Sequence, residues 1–159
     1  FHRIPLIHPN AVDMGYGGAS GAGGSADVID VGAGAAEDPN QIVLYPPPGA
    51  TGIRRSFNTT QEGPQPPDAP GGGTVTGPII SVLADANLVI STIEVQENGN
   101  VVPVTKVDPT TPDLGPFMSG TTAFYPAGPA PANATFSVSI SGTIGGQAFS
   151  RQWTFTTGS

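Results

Sequence analysis

Glycine or proline interrupts nearly every window of a dozen residues in this chain, and the apolar side chains between them seldom recur at helical spacing. Inside a helix a glycine costs about 1 kcal/mol relative to alanine and a proline about 3 kcal/mol. Long helices are therefore excluded, and the expected fold class is all-β with long loops. The 23 glycines and 18 prolines amount to about a quarter of the 159 residues, which approaches low-complexity composition, while the 37 % apolar content argues against full disorder. A chain of this length is expected to form one compact domain with an appendage.

Strand signals become regular from Ile79 onward: "IISVL", "LVISTIEV", "NVVPVT", "TTAFYP", "ATFSVSISGTI" and "AFSRQWTFTT". Asn98-Gly99 and Gly145-Gly146 supply the positive φ angles of two-residue hairpin turns, so two hairpins are expected. In "TFSVSIS" the apolar Phe136, Val138 and Ile140 alternate with serines, and Trp153 and Phe155 alternate with Gln152, Thr154 and Thr156. That period of two places these five side chains on one inner face. About six or seven short strands in this span fit an immunoglobulin-like β-sandwich, here without a disulfide because the chain has no cysteine. Pro103 removes a ladder donor and suits only an edge or a bulge.

Upstream the pattern thins. Residues 58–78, "NTTQEGPQPPDAPGGGTVTGP", carry almost no large apolar side chain and read as a Pro/Gly-rich linker, or equally as a strap laid across a neighbour. Residues 1–57 offer about three strands, near Asp27 to Val31 and Gln41 to Tyr45 among them, and too little apolar surface for their own core. This extended N-terminal arm needs a partner, either the sandwich of 79–159 or another chain.

The formal charge of −7 arises from 12 acidic groups against 5 lysines and arginines, so no basic stripe is available for phosphates and nucleic-acid binding is not expected. No run of 18 apolar residues exists, so no membrane insertion is expected. Charged residues make only 11 % of the chain, against about 25 % in ordinary soluble domains, so solubility rests on small polar side chains and exposed backbone. That composition points to a secreted or cell-surface, extracellular location. A chain beginning at Phe1 rather than Met reads as one that has been cut, by processing or by experiment.

Several segments carry a family resemblance. "FHRIPLIHPNAVDMGYG" resembles the "HR-x-x-(I/L)-L-x-P...G-x-G" stretch of secreted bacterial CAP (SCP-like) domains, and "ADVIDVG" resembles their "(Y/W)-V-x-D-F-G" strand. Tyr45-Pro46, Gly49-Ala50-Thr51-Gly52-Ile53, Phe57 and the terminal "FSVSISGTIGGQAFSRQWTFTT" are similar to the connection and trailing module of such proteins. The resemblance implies the end of a CAP domain fused to an Ig-like sandwich. In that family a cleft is built from two histidines and two acidic residues. His2 stands where the second histidine would lie, and its companions would belong to an absent portion, so no catalytic or metal tetrad carries over.

Read from the residues, His2 is a weak metal candidate, since one imidazole without neighbouring ligands gives an incomplete shell, and His8 before Pro9 is structural. Asp27 and Asp30 flank a strand on different faces or ladder positions and make a poor acid/base pair. No G-x-S-x-G elbow accompanies the serines, and the glycine runs at 15–24 and 71–73 lack the lysine of a phosphate loop. No catalytic residues and no cofactor are therefore expected. Trp153 reads as core, whereas Tyr45 and Tyr125, each before a proline, are candidate contacts for sugar rings. Asn58-Thr59-Thr60 and Asn133-Ala134-Thr135 match glycosylation acceptors. The expected function is that of a non-enzymatic structural protein, a homo-oligomer or polymer assembled as a filament by strand addition from the arm. The alternative is a module binding a surface polymer or glycan.

Overall fold

The computed structural model describes residues 14–21, 24–31, 41–84 and 87–159. Two strands open it, β1 (Met14–Gly21) and β2 (Gly24–Val31), paired antiparallel from Met14 opposite Val31 to Gly21 opposite Gly24. They are followed by β3 (Val43–Tyr45), the short pair β4 (Phe57–Asn58) and β5 (Val75–Thr76), and β6 (Ile80–Leu83). The remaining strands are β7 (Val89–Glu97), β8 (Asn100–Val101), β9 (Val104–Val107), β10 (Thr121–Pro126), β11 (Thr135–Ile144) and β12 (Gln147–Thr156). The only helices among the described residues are single 3-10 turns at Thr59–Gln61 and Gly115–Phe117.

Two four-stranded antiparallel sheets form a β-sandwich, the first ordered β3-β6-β10-β9 and the second β12-β11-β7-β8. Both expected hairpins are present. Asn98 (φ 49°) and Gly99 (φ 85°) join β7 to β8, and Gly145 (φ 54°) and Gly146 (φ 80°) join β11 to β12. The inner face read from the alternation is also observed: Phe136, Val138, Ile140, Trp153 and Phe155 are all buried, and Phe136 stacks on its cross-strand partner Phe155 at 5.1 Å. They pack with Ile80, Val82 and Phe124 of the first sheet to form the main core. Each such side chain withdrawn from water contributes about 1.5–3 kcal/mol.

The central strands of the first sheet, β6 and β10, are buried on both faces, which explains why "TTAFYP" does not alternate. All six residues of β10 are buried. Phe124 enters the main core, while Ala123 and Tyr125 point the other way into a second cluster with Leu83, Val107, Leu114 and Met118. Leu114 and Met118 come from the loop that follows β9, whose 3-10 turn presses Gly115 against the Pro109 carbonyl. On the same face Phe57 stacks on Tyr125 at 6.1 Å. Residues 58–78 are thus the strap rather than the linker: β4 pairs with β5, Thr59 and Thr76 are buried, and the Asp68 carbonyl accepts the Thr105 hydroxyl at 2.9 Å.

The two sheets are joined at both sides by proline. On one side Val102-Pro103 carries the chain from β8, the edge of the second sheet, to β9, the edge of the first, as a residue without an N–H requires. On the other side β3 pairs with β6 at the edge of the first sheet, and Pro46, Pro47 and Pro48 then carry the chain across to β12. The strand expected near Gln41 to Tyr45 is therefore paired on one side by the chain's own sandwich, and residues 43–57 belong to it rather than to a free arm. The buried Trp153 indole donates to the Pro46 carbonyl at 2.9 Å and ties the crossing to the core.

One irregularity in β7 keeps its apolar residues inward. Ser141 pairs with Thr92 but Gly142 pairs with Ile90, so Ser91 is an extra residue in the ladder. This bulge lets Ile90 and Val95, which straight alternation would put on opposite faces, both enter the core. It also brings the two backbones so close that a Cβ on Gly142 would collide with the Val89 carbonyl. Gly142→Ala is expected to lower unfolding stability by roughly 2–3 kcal/mol. Urea denaturation followed by the emission of Trp153, the chain's one tryptophan, measures it.

Candidate functional site

Beyond the three prolines the chain runs beside β12 as a short parallel strap. Gly49 N–H donates to the Thr154 carbonyl at 2.8 Å, Thr156 N–H to Ala50 at 2.8 Å, Ile53 N–H to Thr156 at 3.1 Å and Gly158 N–H to Ile53 at 2.8 Å. Gly49 and Gly52 take φ angles of 76° and 72°, where a side chain would be strained. Past Ile53 the strap meets the turn before β11. Arg55 and Ala130 grip each other there: Ala130 N–H donates to the Arg55 carbonyl at 2.9 Å, and Arg55 Nε donates back to the Ala130 carbonyl at 2.9 Å.

These contacts build an open cleft of about 410 Å³ lined by Gly52, Ile53, Arg54, Arg55, Ser56, Pro129, Gly158 and Ser159. Arg54 and Arg55 both line it, and no Asp or Glu side chain does among the described residues. The sequence signal for it was the pair Arg54-Arg55 in a chain with only 5 lysines and arginines. Reading charge as a whole-molecule balance passed over it. Among the described residues the carbonyl–amide grip leaves both terminal nitrogens of Arg55 without a protein partner, and Arg54 has no ion pair.

The residues singled out from sequence do not converge on this cleft. Tyr45 is 41 % exposed on the edge strand β3 and keeps a face available for contact. Tyr125 is 0 % exposed, stacked under Phe57, so it is a core residue and the expectation of a sugar contact there is corrected. Its proline neighbour lies within the fully buried β10, which an apolar strand covered on both faces conceals from a reading by alternation. Trp153 is core, as expected. Asn58 is half-buried and its Oδ1 accepts from Thr60 N–H and Thr60 Oγ1, capping the 3-10 turn. Asn133 is exposed at a left-handed position, φ 55°. His2 and His8 lie outside the described residues. Among the described residues no group of three or more His, Cys, Asp or Glu could hold a metal ion, and no helix is long and apolar enough to cross a membrane.

Two titrating groups have shifted equilibria. Burial alone would raise the Asp108 carboxyl. That effect is outweighed by hydrogen bonds from Lys106 (2.7 Å) and from the Thr110 hydroxyl (2.6 Å) and amide (2.9 Å), so its pKa lies below the usual value. The Asp108 amide in turn donates to Thr111 Oγ1 at 3.0 Å, so this ring of contacts opens the loop that covers the first sheet. Burial, and secondarily the charge of Glu62, push the Tyr125 hydroxyl well above its ordinary value of 10.0. That hydroxyl and Ser81 Oγ, on the same face, are buried without hydrogen-bond partners among the described residues.

No family model matches this chain, and a search of curated proteins finds no match.

The orphaned Tyr125 hydroxyl yields a pH prediction. Unfolded, it ionises near 10.0; folded, it stays neutral to higher pH. Its contribution is complete below that pH and is lost as pH rises toward the folded value. Tyr125→Phe should therefore leave stability at neutral pH unchanged or raise it by up to about 1 kcal/mol, since a buried unpaired hydroxyl is removed. It should also flatten the alkaline decline. Denaturation midpoints of both proteins across the neutral to alkaline range check both outcomes.

Proposed function

We propose that the chain is a non-enzymatic extracellular structural protein that assembles by strand addition from the segment upstream of β3. The observation that carries this reading is the two-stranded sheet β1-β2, whose strands pair only with each other among the described residues. A two-stranded ribbon alone is marginal in water, and a third strand makes it stable. A complementary edge exists on β12. The strap occupies its outward-facing groups at Thr154 and Thr156, and the same alternation turns the backbone groups of Ala148, Ser150 and Gln152 outward ahead of it. The Ser150 carbonyl accepts from its neighbour Arg151 at 2.8 Å. Addition of one copy's ribbon to the next copy's β12 is head-to-tail and, where the rotation does not close, produces a filament. The resemblance to the end of a secreted CAP protein and the low charged fraction support the extracellular location.

A second reading, a module binding a surface polymer or glycan, is favoured by Tyr45, which projects beside Pro46 at the sandwich edge with 41 % of its surface exposed. Retention on insoluble polysaccharide that disappears in Tyr45→Ala would support it.

Light scattering against protein concentration tests the leading reading. Mass should grow with concentration for the native chain. Prolines at Ala148 and Gln152, which remove outward N–H donors, should hold the protein monomeric with its tryptophan emission unchanged. A native chain that stays monomeric at high concentration, or assembly indifferent to the edge prolines, contradicts it.

A further inference from the structure

We infer that the Arg54-Arg55 cleft is a binding site for a tetrahedral oxyanion, a phosphate or sulfate group carried either as a free ion or as an ester on a polymer. The inference is independent of assembly, because it concerns the strap end of the sandwich and not the open part of β12.

The cations come first. This chain carries 12 acidic residues and only 5 lysines and arginines, yet two of those five, consecutive in sequence, line one cleft with no Asp or Glu side chain in its wall among the described residues. Adjacent like charges repel, and a carboxylate beside them would relieve the repulsion at once. No Asp or Glu side chain among the described residues lines the cleft, and the ion pair of Lys106 with Asp108 lies elsewhere, on β9 and the loop after it. Both arginines are exposed to solvent, and an anion bound between them would offset the repulsion that solvent leaves.

The second consideration is rigidity. Arg55 is held by its own carbonyl and by Nε, both bound to Ala130 at 2.9 Å. With Nε engaged, the guanidinium plane is oriented and its two terminal nitrogens remain as a fork, the geometry that suits bidentate contact with a phosphate or sulfate. The strap beneath is fixed to β12 and Gly158 through Ile53, so little ordering is left to oppose binding. Arg54 and the Ser56 hydroxyl complete a donor set of charged and neutral groups. Gly52, Ile53, Pro129 and Gly158 form the rest of its wall.

Titration of the full chain at low ionic strength with inorganic phosphate, followed by amide NMR at a protein concentration where scattering shows monomer, is the test. Shifts should centre on Arg55, Ser56 and Ala130. Arg54→Gln with Arg55→Gln should weaken binding about tenfold or more, whereas Arg151→Gln, outside the cleft, should leave it unchanged. Dextran sulfate, free sulfate and neutral dextran separate the sources. Tighter binding of the sulfated polymer than of the free ion at equal sulfate concentration assigns the ester, and equal binding assigns the ion. Absence of shifts at the cleft with phosphate and with dextran sulfate, or an equal loss in Arg151→Gln, overturns the inference. Unchanged tryptophan emission in each variant establishes that the fold is intact, and the monomer condition keeps the outcome separate from that of the assembly experiment.

Discussion

A buried hydrogen bond ties the two halves of this chain together: the Trp153 indole donates to the Pro46 carbonyl across 107 positions of sequence. An indole N–H buried without an acceptor would cost about 1–3 kcal/mol, so the tryptophan that anchors the core also dictates where the proline crossing must lie. Everything on that side of the sandwich is arranged around the tie. β3 ends immediately before it, and the strap begins immediately after it and runs beside β12 toward the two arginines. Without that crossing the first sheet would lose its fourth strand and the second sheet would expose the end of β12.

The same economy appears on the far face of the first sheet. A sheet that is apolar on both sides needs two covers. The second sheet provides one, and loops provide the other, with Leu114, Met118 and Phe57 closing over Tyr125. The loops rich in glycine and proline are therefore structural. Their conformations are held by specific short-range bonds, such as those of Asp108 with Thr110 and of Asn58 with Thr60, in place of a hydrophobic core of their own. Low charge suits such loops, because they lie flat on the sandwich and project few long side chains.

The regular half was legible because its physics is local. Phe136, Val138 and Ile140 alternate with serines, and Asn98-Gly99 and Gly145-Gly146 force tight turns, so strands, hairpins and inner face follow from neighbours in sequence. The other half was not, for identifiable reasons. In β10 both faces are covered, so its polar Thr121 and Thr122 and its Tyr125 are buried together and no alternation betrays which side is inside. β3 is only three residues long, and its place is decided by a partner nearly 40 positions away. The bulge at Ser91 reverses the parity of β7 for a reason that lies in the opposite strand, at Gly142. The arginine cleft was visible as letters, "RR", but its significance rests on Ala130 and Gly158, which no local pattern connects to it.

The central claim is that residues 43–57 are structural members of the sandwich and not an appended arm. Native-state hydrogen exchange of the amides of Gly49, Ile53, Thr156 and Gly158, each of which donates across the strap, addresses it directly. Protection within about tenfold of that at Val138 and Phe155 in the β11-β12 hairpin is the predicted result, because strap and sheet then open in one cooperative unit. Exchange of those four amides at the rate of free peptide, with the hairpin still protected, would contradict it.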